Sequence, residues 1–264
     1  MTRTISKAMS GILEDMELNA ESYITLSMLG EIAKKHGVNT SPPMIAQRLK
    51  KNGWLLPTTQ RGVWEFAPAS RAGAFSQNDP LKDIIAFRMV NPSINCFLCL
   101  QTAAWALGLA DRVPSSKELA FSEIPKVRIP EDVSTFRYDP SIPTESIKGV
   151  DCLAPESILV HLAAKPQVVS SWSSAMEWIP DVVYEINIDR LMEELFTRND
   201  SIKRRTGYLL QGMYPKAADE IRNTASIKSK IRFGPRTTAI RNDEHWMIAD
   251  TILPFSPKEM ELVK

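Results

Sequence analysis

The chain has 264 residues, 44% of them hydrophobic and 24% charged, and a formal net charge of +1. This is the make-up of an ordinary globular protein, long enough for one large domain or two unequal ones. No apolar run approaches the roughly 20 residues that span a bilayer, and residues 1–11 lack the uniform apolar segment of a secretory leader. The three cysteines, Cys96, Cys99 and Cys152, are too few and too odd in number for a disulfide framework. A reduced, cytoplasmic chain with no membrane partner is the expectation.

Residues 4–19 repeat Ile5, Met9, Ile12, Met16 and Leu18 near a 3.6-residue period, which predicts a first helix. Tyr23 and Ile24 form a short extended link. Thr25 is placed to cap a second helix whose Leu26, Leu29, Ile32 and Ala33 share a face, and Gly37 ends it. Ser41 is placed to cap a third, with Pro42 at the first position, where the missing N–H costs nothing. In that helix Ile45 and Leu49 face the core, while Met44, Gln47, Arg48 and Lys51 fall at i, i+3, i+4 and i+7 on another face. Gly53 closes it. Residues 54–57 and 63–66 read as two strands around Thr58-Thr59-Gln60-Arg61-Gly62.

Three helices and a hairpin predict a winged helix-turn-helix over residues 1–70, with residues 44–52 as recognition helix and Arg61 in the wing. Residues 68–80, small and punctuated by Pro and Gly, read as a linker or a strand returning to a second domain. Residues 71–264 read as a larger mixed α/β domain, so the class is α+β. Within it, residues 81–89 and 98–109 read as helix or core strand, and residues 155–164, 189–196 and 203–213 as helices. Residues 126–129, 135–138, 230–233 and 246–252 read as short strands.

Charge is unevenly spread. From residue 34 to 61 the chain carries Lys34, Lys35, Arg48, Lys50, Lys51 and Arg61 without one Asp or Glu. A basic face on a small helical module suits a phosphate backbone. Arg and Gln can pair bidentately with guanine and adenine edges, whereas Lys meets phosphate as a point charge. A second carboxylate-free stretch, residues 222–241, holds Lys228, Lys230, Arg232 and Arg236, and Lys203, Arg204 and Arg205 lie upstream. It reads equally as a second nucleic-acid contact and as charge balance against residues 185–194.

Catalytic signals are weak. Cys96 and Cys99 have no second Cys pair or spaced His pair to complete a zinc site. His36, His161 and His245 are isolated in sequence, and no Gly-rich phosphate loop is present. Asp181, Glu185 and Asp189 recur every four residues and suit either a solvated helix face or a metal. The reading assigns no catalytic residue, no metal and no cofactor. A metal-dependent enzyme using these carboxylates or His161 stays open as an alternative.

Taken in order, several short motifs resemble the AbiEi family of abortive-infection antitoxins, from type IV toxin–antitoxin pairs. They are Arg48-Leu49-Lys50-Lys51-Asn52-Gly53-Trp54-Leu55, Gly62-Val63-Trp64, and Thr102 through Leu109 with its Gly108-Leu109 ending. Ala154-Pro155-Glu156, Arg205-Thr206-Gly207-Tyr208-Leu209, and Phe233-Gly234-Pro235 followed by Trp246 complete the series. His161 is a departure, standing where the family tends to carry an Asp. The resemblance implies a non-enzymatic antitoxin. Its winged helix would bind inverted repeats in its own promoter DNA and repress the operon. Its C-terminal domain would counter a nucleotidyltransferase-like toxin, without necessarily binding it stably. The competing expectation is a ligand- or protein-responsive winged-helix regulator unrelated to any toxin.

Overall fold

In a computed structural model of the chain, residues 7–19, 22–70, 76–169 and 171–261 are described. Ile5 of the first expected helix and residues 71–75 of the expected linker lie outside them. The chain divides into two compact units, Met1–Asn95 with Val127–Glu131 and Cys96–Lys126 with Asp132–Lys264.

The first unit runs α1 (Lys7–Leu18), β1 (Tyr23–Thr25), α2 (Leu26–Lys35), α3 (Pro42–Lys51), β2 (Leu55–Pro57), β3 (Val63–Phe66) and α4 (Lys82–Val90). Met9, Ile12, Leu13 and Met16 make the buried stripe of α1. Leu18, expected on that stripe, is 77% exposed, because two residues beyond Met16 lies on the opposite side of a helix. The Thr25 hydroxyl accepts the Met28 N–H at 3.2 Å, as a capping residue should.

Both α2 and α3 end in a Schellman motif. Val38 N–H reaches the Ala33 carbonyl at 2.9 Å and Trp54 N–H reaches that of Leu49 at 2.9 Å. Gly37 and Gly53 sit at φ +64° and +74°, a region an L side chain resists. The start of α3 differs from expectation, since the Ser41 side chain makes no capping bond. Pro42 and Pro43 already remove two of the N–H groups that a cap would satisfy. The Ser41 carbonyl takes the next two, from Met44 and Ile45.

Tyr23 and Ile24, read as a short extended link, form with Thr25 an edge strand in an antiparallel sheet of order β1-β3-β2. Tyr23 pairs with Glu65, Ile24 with Trp64, and Leu55 with Phe66. Ile12, Met16, Ile24, Leu29, Ile45, Leu49 and Phe66 form the core beneath it. Each such side chain contributes about 1.5–3 kcal/mol by leaving water. Buried Glu65 accepts the Ser76 hydroxyl at 2.6 Å and the Gln77 N–H at 2.7 Å, tying those residues to the same sheet.

The second unit opens with β4 (Cys96–Leu98), α5 (Leu100–Ala106), β5 (Lys117–Phe121), β6 (Val133–Arg137), β7 (Glu145–Ile147) and β8 (Val150–Cys152). These strands form a mixed sheet of order β6-β5-β4-β8-β7. Then follow α6 (Pro155–Ala164), α7 (Trp172–Ala175), α8 (Ile179–Tyr184), α9 (Ile188–Phe196), α10 (Asp200–Leu210) and α11 (Pro215–Asn223). A last sheet, β9 (Ile231–Phe233), β10 (Arg241–Asp243) and β11 (Ile248–Asp250), has β11 in the middle.

The mixed α+β class holds. Residues 155–164 form the expected helix, but residues 126–129 form no strand. Residues 155–163 of α6 are buried throughout, and α6 packs against α5, α8, α9 and α10. A helix buried on all sides, with Ile158, Leu159, Val160 and Leu162 around it, belongs at the centre of a unit.

Candidate nucleic-acid interface

On α3, Ile45, Ala46 and Leu49 are buried, while Met44, Gln47, Arg48, Lys50 and Lys51 are exposed. The expected segregation of faces is therefore present in three dimensions. In the hairpin, the Thr58 hydroxyl lies 2.9 Å from the Val63 carbonyl and accepts the Gln60 N–H at 3.2 Å, closing the tip locally. Gly62 takes φ +85°, and Arg61 is exposed beside it. Between helix and hairpin lies a cleft of about 390 Å³, lined by Pro43, Gln47 and Lys50 on one side and Arg61, Gly62 and Trp64 on the other.

Carboxylates missing from residues 34–61 are supplied from elsewhere in the same unit. Asp15 on α1 receives Lys35 Nζ at 2.7 Å, and the Lys35 hydrogen bond holds the Asp15 carboxyl below its usual pKa despite burial. Lys34 is exposed. Asp83 on α4 accepts both the N–H and the hydroxyl of Thr59, at 3.1 and 2.9 Å. Charge counted along the chain misses both.

The second basic stretch divides sharply. Arg204 is 3% exposed, and its guanidinium donates to the carbonyls of Trp246, Met247 and Ser229 at 2.6–2.9 Å. Arg205 Nε donates to the Arg232 carbonyl at 2.8 Å. These two fasten the closing strands to α10. Lys203 is half-buried and Lys230 lies 3.5 Å from Glu244, leaving Lys228, Arg232 and Arg236 exposed.

Asp181, Glu185 and Asp189 do not share a helix. Asp181 lies on α8, Glu185 caps its C-terminus, and Asp189 lies on α9. Among the described residues, no three His, Cys, Asp or Glu side chains gather to hold a metal ion. Cys96, Cys99 and Cys152 are buried free thiols. Burial pushes Cys99 well up, with Glu118 and Cys152 adding to it, and pushes Cys152 up to about 12, so both stay protonated at neutral pH.

A buried carboxylate on α9 escapes sequence reading because it looks like a solvated acid. Glu194 is fully buried and gathers five donors: Tyr138 Oη, Arg198 Nη2, Ser157 Oγ at 3.1 Å, and the N–H groups of Ser141 and Ile142 at 2.7 and 3.2 Å. His161 stacks on Tyr138 with ring centroids 4.5 Å apart. Neither of its ring nitrogens has a hydrogen-bond partner among the described residues. Burial above all, with Lys165 and Arg198 nearby, lowers its pKa to about 3. It is a neutral core ring.

Fully buried His161 and part-buried Glu118 therefore tilt stability with pH in opposite directions. Unfolded His161 takes a proton near 6.5 and the folded ring only near 3, so acid favours unfolding across that window, by about 1.4 kcal/mol per pH unit. Burial raises Glu118 from 4.5 to about 7, against the lowering bonds from Thr102. The folded protein then holds that proton where the unfolded chain has lost it, so stability is gained as pH falls from 7 to 4.5. The two slopes offset one another between 4.5 and 6.5, and below 4.5 His161 acts unopposed. Urea unfolding of wild type and Glu118→Gln should show wild type gaining relative stability from pH 7 down to 4.5 and then levelling. A difference curve flat across that range would refute it.

Residues 97–212 match the family model of the AbiEi antitoxin C-terminal domain. The match bears out the AbiEi resemblance. It runs from β4 to just past α10 and includes the Pro155 helix start and the Gly207-Tyr208-Leu209 motif. No curated protein matches the chain. Among solved structures, the crystal structure of the RV2827C protein from Mycobacterium tuberculosis covers 96% of this chain and 94% of its own, with a TM-score of 0.73 and 21% identity. At that identity the likeness is one of fold. Inside the AbiEi span the motif has a physical reading: Gly207 faces the indole of Trp246, and Tyr208 Oη lies 3.1 Å from Asp250 Oδ2. Among the described residues, no helix is long and apolar enough to cross a membrane.

Proposed function

We propose that this protein is a type IV antitoxin of the cytoplasm with two jobs. Its first unit acts as a winged helix-turn-helix that binds inverted repeats in its own promoter DNA and represses the operon. The AbiEi body counters a nucleotidyltransferase-like toxin, functionally and not necessarily through a stable toxin complex. The exposed polar face of α3 beside a hairpin carrying Arg61 supports the DNA reading most directly. All these elements lie within residues 1–70. Met44, Gln47, Arg48 and Lys51 enter the major groove, and Lys50, Arg61 and the more distant Lys34 meet phosphates. Lys35 joins them only where DNA competes with Asp15 for its ammonium. Lys203, Lys228, Arg232 and Arg236 offer the body its own weaker contact with nucleic acid.

The double variant Arg48→Ala, Lys51→Ala tests the assignment. On a duplex of the DNA directly upstream of its own reading frame, it should bind more weakly. Its log Kd against log salt dependence should also flatten, because two cations lying close to the phosphates are lost and fewer counterions are released. Repression of a reporter should be lost, while rescue of growth from a co-expressed neighbouring nucleotidyltransferase should persist. Unchanged affinity and slope would remove α3 from the interface, and loss of rescue would join the two jobs.

A further inference from the structure

Asp83 sits on α4, outside the three helices and hairpin that make up the proposed reading surface, yet it reaches the hairpin tip. One oxygen, Oδ1, accepts the Thr59 N–H at 3.1 Å and the Thr59 hydroxyl at 2.9 Å. The body of α4 is anchored by buried Ile84, Ile85, Ala86 and Phe87 and packs against β3, so this acceptor is fixed relative to the sheet. Two residues beyond Thr59, Arg61 and then Gly62 line one wall of the 390 Å³ cleft, and Lys50 of α3 lines the other. Thr58 closes the tip locally and the Gly62 carbonyl accepts the Leu26 N–H at 3.2 Å at its far end, which still leaves residues 59–61 free to swing between those two points. Holding Thr59 to a rigid helix removes that freedom.

We propose that Asp83 is a positioning residue for DNA binding: by holding Thr59 it fixes the hairpin tip so that Arg61 and Lys50, on opposite walls of one cleft, grip the same phosphate backbone. This rests on the DNA reading given above and adds a residue that touches no DNA. It also explains why a carboxylate, repelled by phosphate, stands beside a basic surface. Its acceptor oxygen matters there, and its charge works against binding. Ordering a loop before association lowers what binding must otherwise spend on it, and one such element is worth about 0.5–1.5 kcal/mol. That corresponds to roughly a threefold to tenfold change in affinity.

Asp83→Ala, Asp83→Asn and wild type should be compared in the full chain, on a labelled duplex of the DNA upstream of its own gene and on a scrambled duplex of equal length. Amide hydrogen exchange at residues 58–62 in the free protein is the second readout. Alanine should weaken binding to both duplexes by roughly threefold to tenfold and speed exchange at the tip. Asparagine keeps a neutral acceptor at the same place, so it should restore slow exchange and bind as tightly as wild type or more so. Alanine binding like wild type, or asparagine as weak as alanine, would overturn the positioning role alone. Wild type binding neither duplex, even at low salt, would overturn the DNA reading and this proposal with it, while exchange at the tip would still show what Asp83 holds.

Discussion

Gly207→Ala should unfold the second unit well below the temperature at which wild type melts. A Cβ built at residue 207 lies 2.1 Å from Cη2 of the Trp246 indole, 2.6 Å from Cζ3 and 2.7 Å from Cζ2. The indole cannot step aside. It is fully buried, its Nε1 donates to Gln211 Oε1 at 3.2 Å, its backbone N–H meets Asp243 Oδ1 at 3.0 Å, and its carbonyl takes two bonds from Arg204. Overpacking a tight core costs about 1–3 kcal/mol and sometimes more, and three carbons inside contact distance place this site at the upper end. For a unit of this size, 3 kcal/mol lowers Tm by about 6–12 °C. Trp246→Phe in the same chain removes the outer ring and should return part of the loss, which separates a steric cause from a general weakening of α10. A Gly207→Ala protein that melts with wild type would show that the indole relocates freely.

The second large effect falls on Glu194. Glu194→Ala should cost about 3–5 kcal/mol, because it strands Arg198, the Tyr138 and Ser157 hydroxyls and two backbone N–H groups without their acceptor. Burial and the neighbouring carboxylate also push the Tyr138 phenol well up, so it stays a donor at every working pH. Glu194→Gln keeps one oxygen and should lose less. Replacing the ion pair as a whole, Glu194→Leu with Arg198→Met, should cost less than Glu194→Ala, since no charge is then left buried alone. Urea titration followed by tryptophan fluorescence measures all three. A single alanine variant within about 1 kcal/mol of wild type would mean that water satisfies those donors.

Much of the first unit was legible because its signals are local. The Thr25 cap, the Gly37 and Gly53 endings and the faces of α3 each depend on residues within a turn or two of one another. What failed to show depended on distance. Lys35 reads as a free cation until Asp15, twenty residues earlier in sequence, arrives beside it. Arg204 reads as surface charge because its acceptors are backbone carbonyls at residues 229, 246 and 247, and carbonyls leave no mark in a sequence. The four-residue rhythm of Asp181, Glu185 and Asp189 conceals a break. Asn187 caps a new helix by accepting the Arg190 N–H at 3.1 Å, a local signal that the acidic period overshadowed. Glu194 and Glu118 look like solvated acids for the same reason that Arg204 looks like a solvated base.

The order β10-β11-β9 also bears on time. The strand at the centre of the last sheet is the last of its three to be made, so β9 has no neighbour until residues 248–250 exist. Until then α10 offers the bare backbone of Gly207 to a Trp246 still unsynthesised, and Arg204 has yet to meet three of its four acceptor contacts. The first unit lacks only residues 127–131 once Asn95 has emerged. At about 5–20 residues per second, roughly ten to thirty seconds separate that moment from completion of the second sheet. During translation the two units are therefore completed in sequence, the first while the second is still a chain without its keystone.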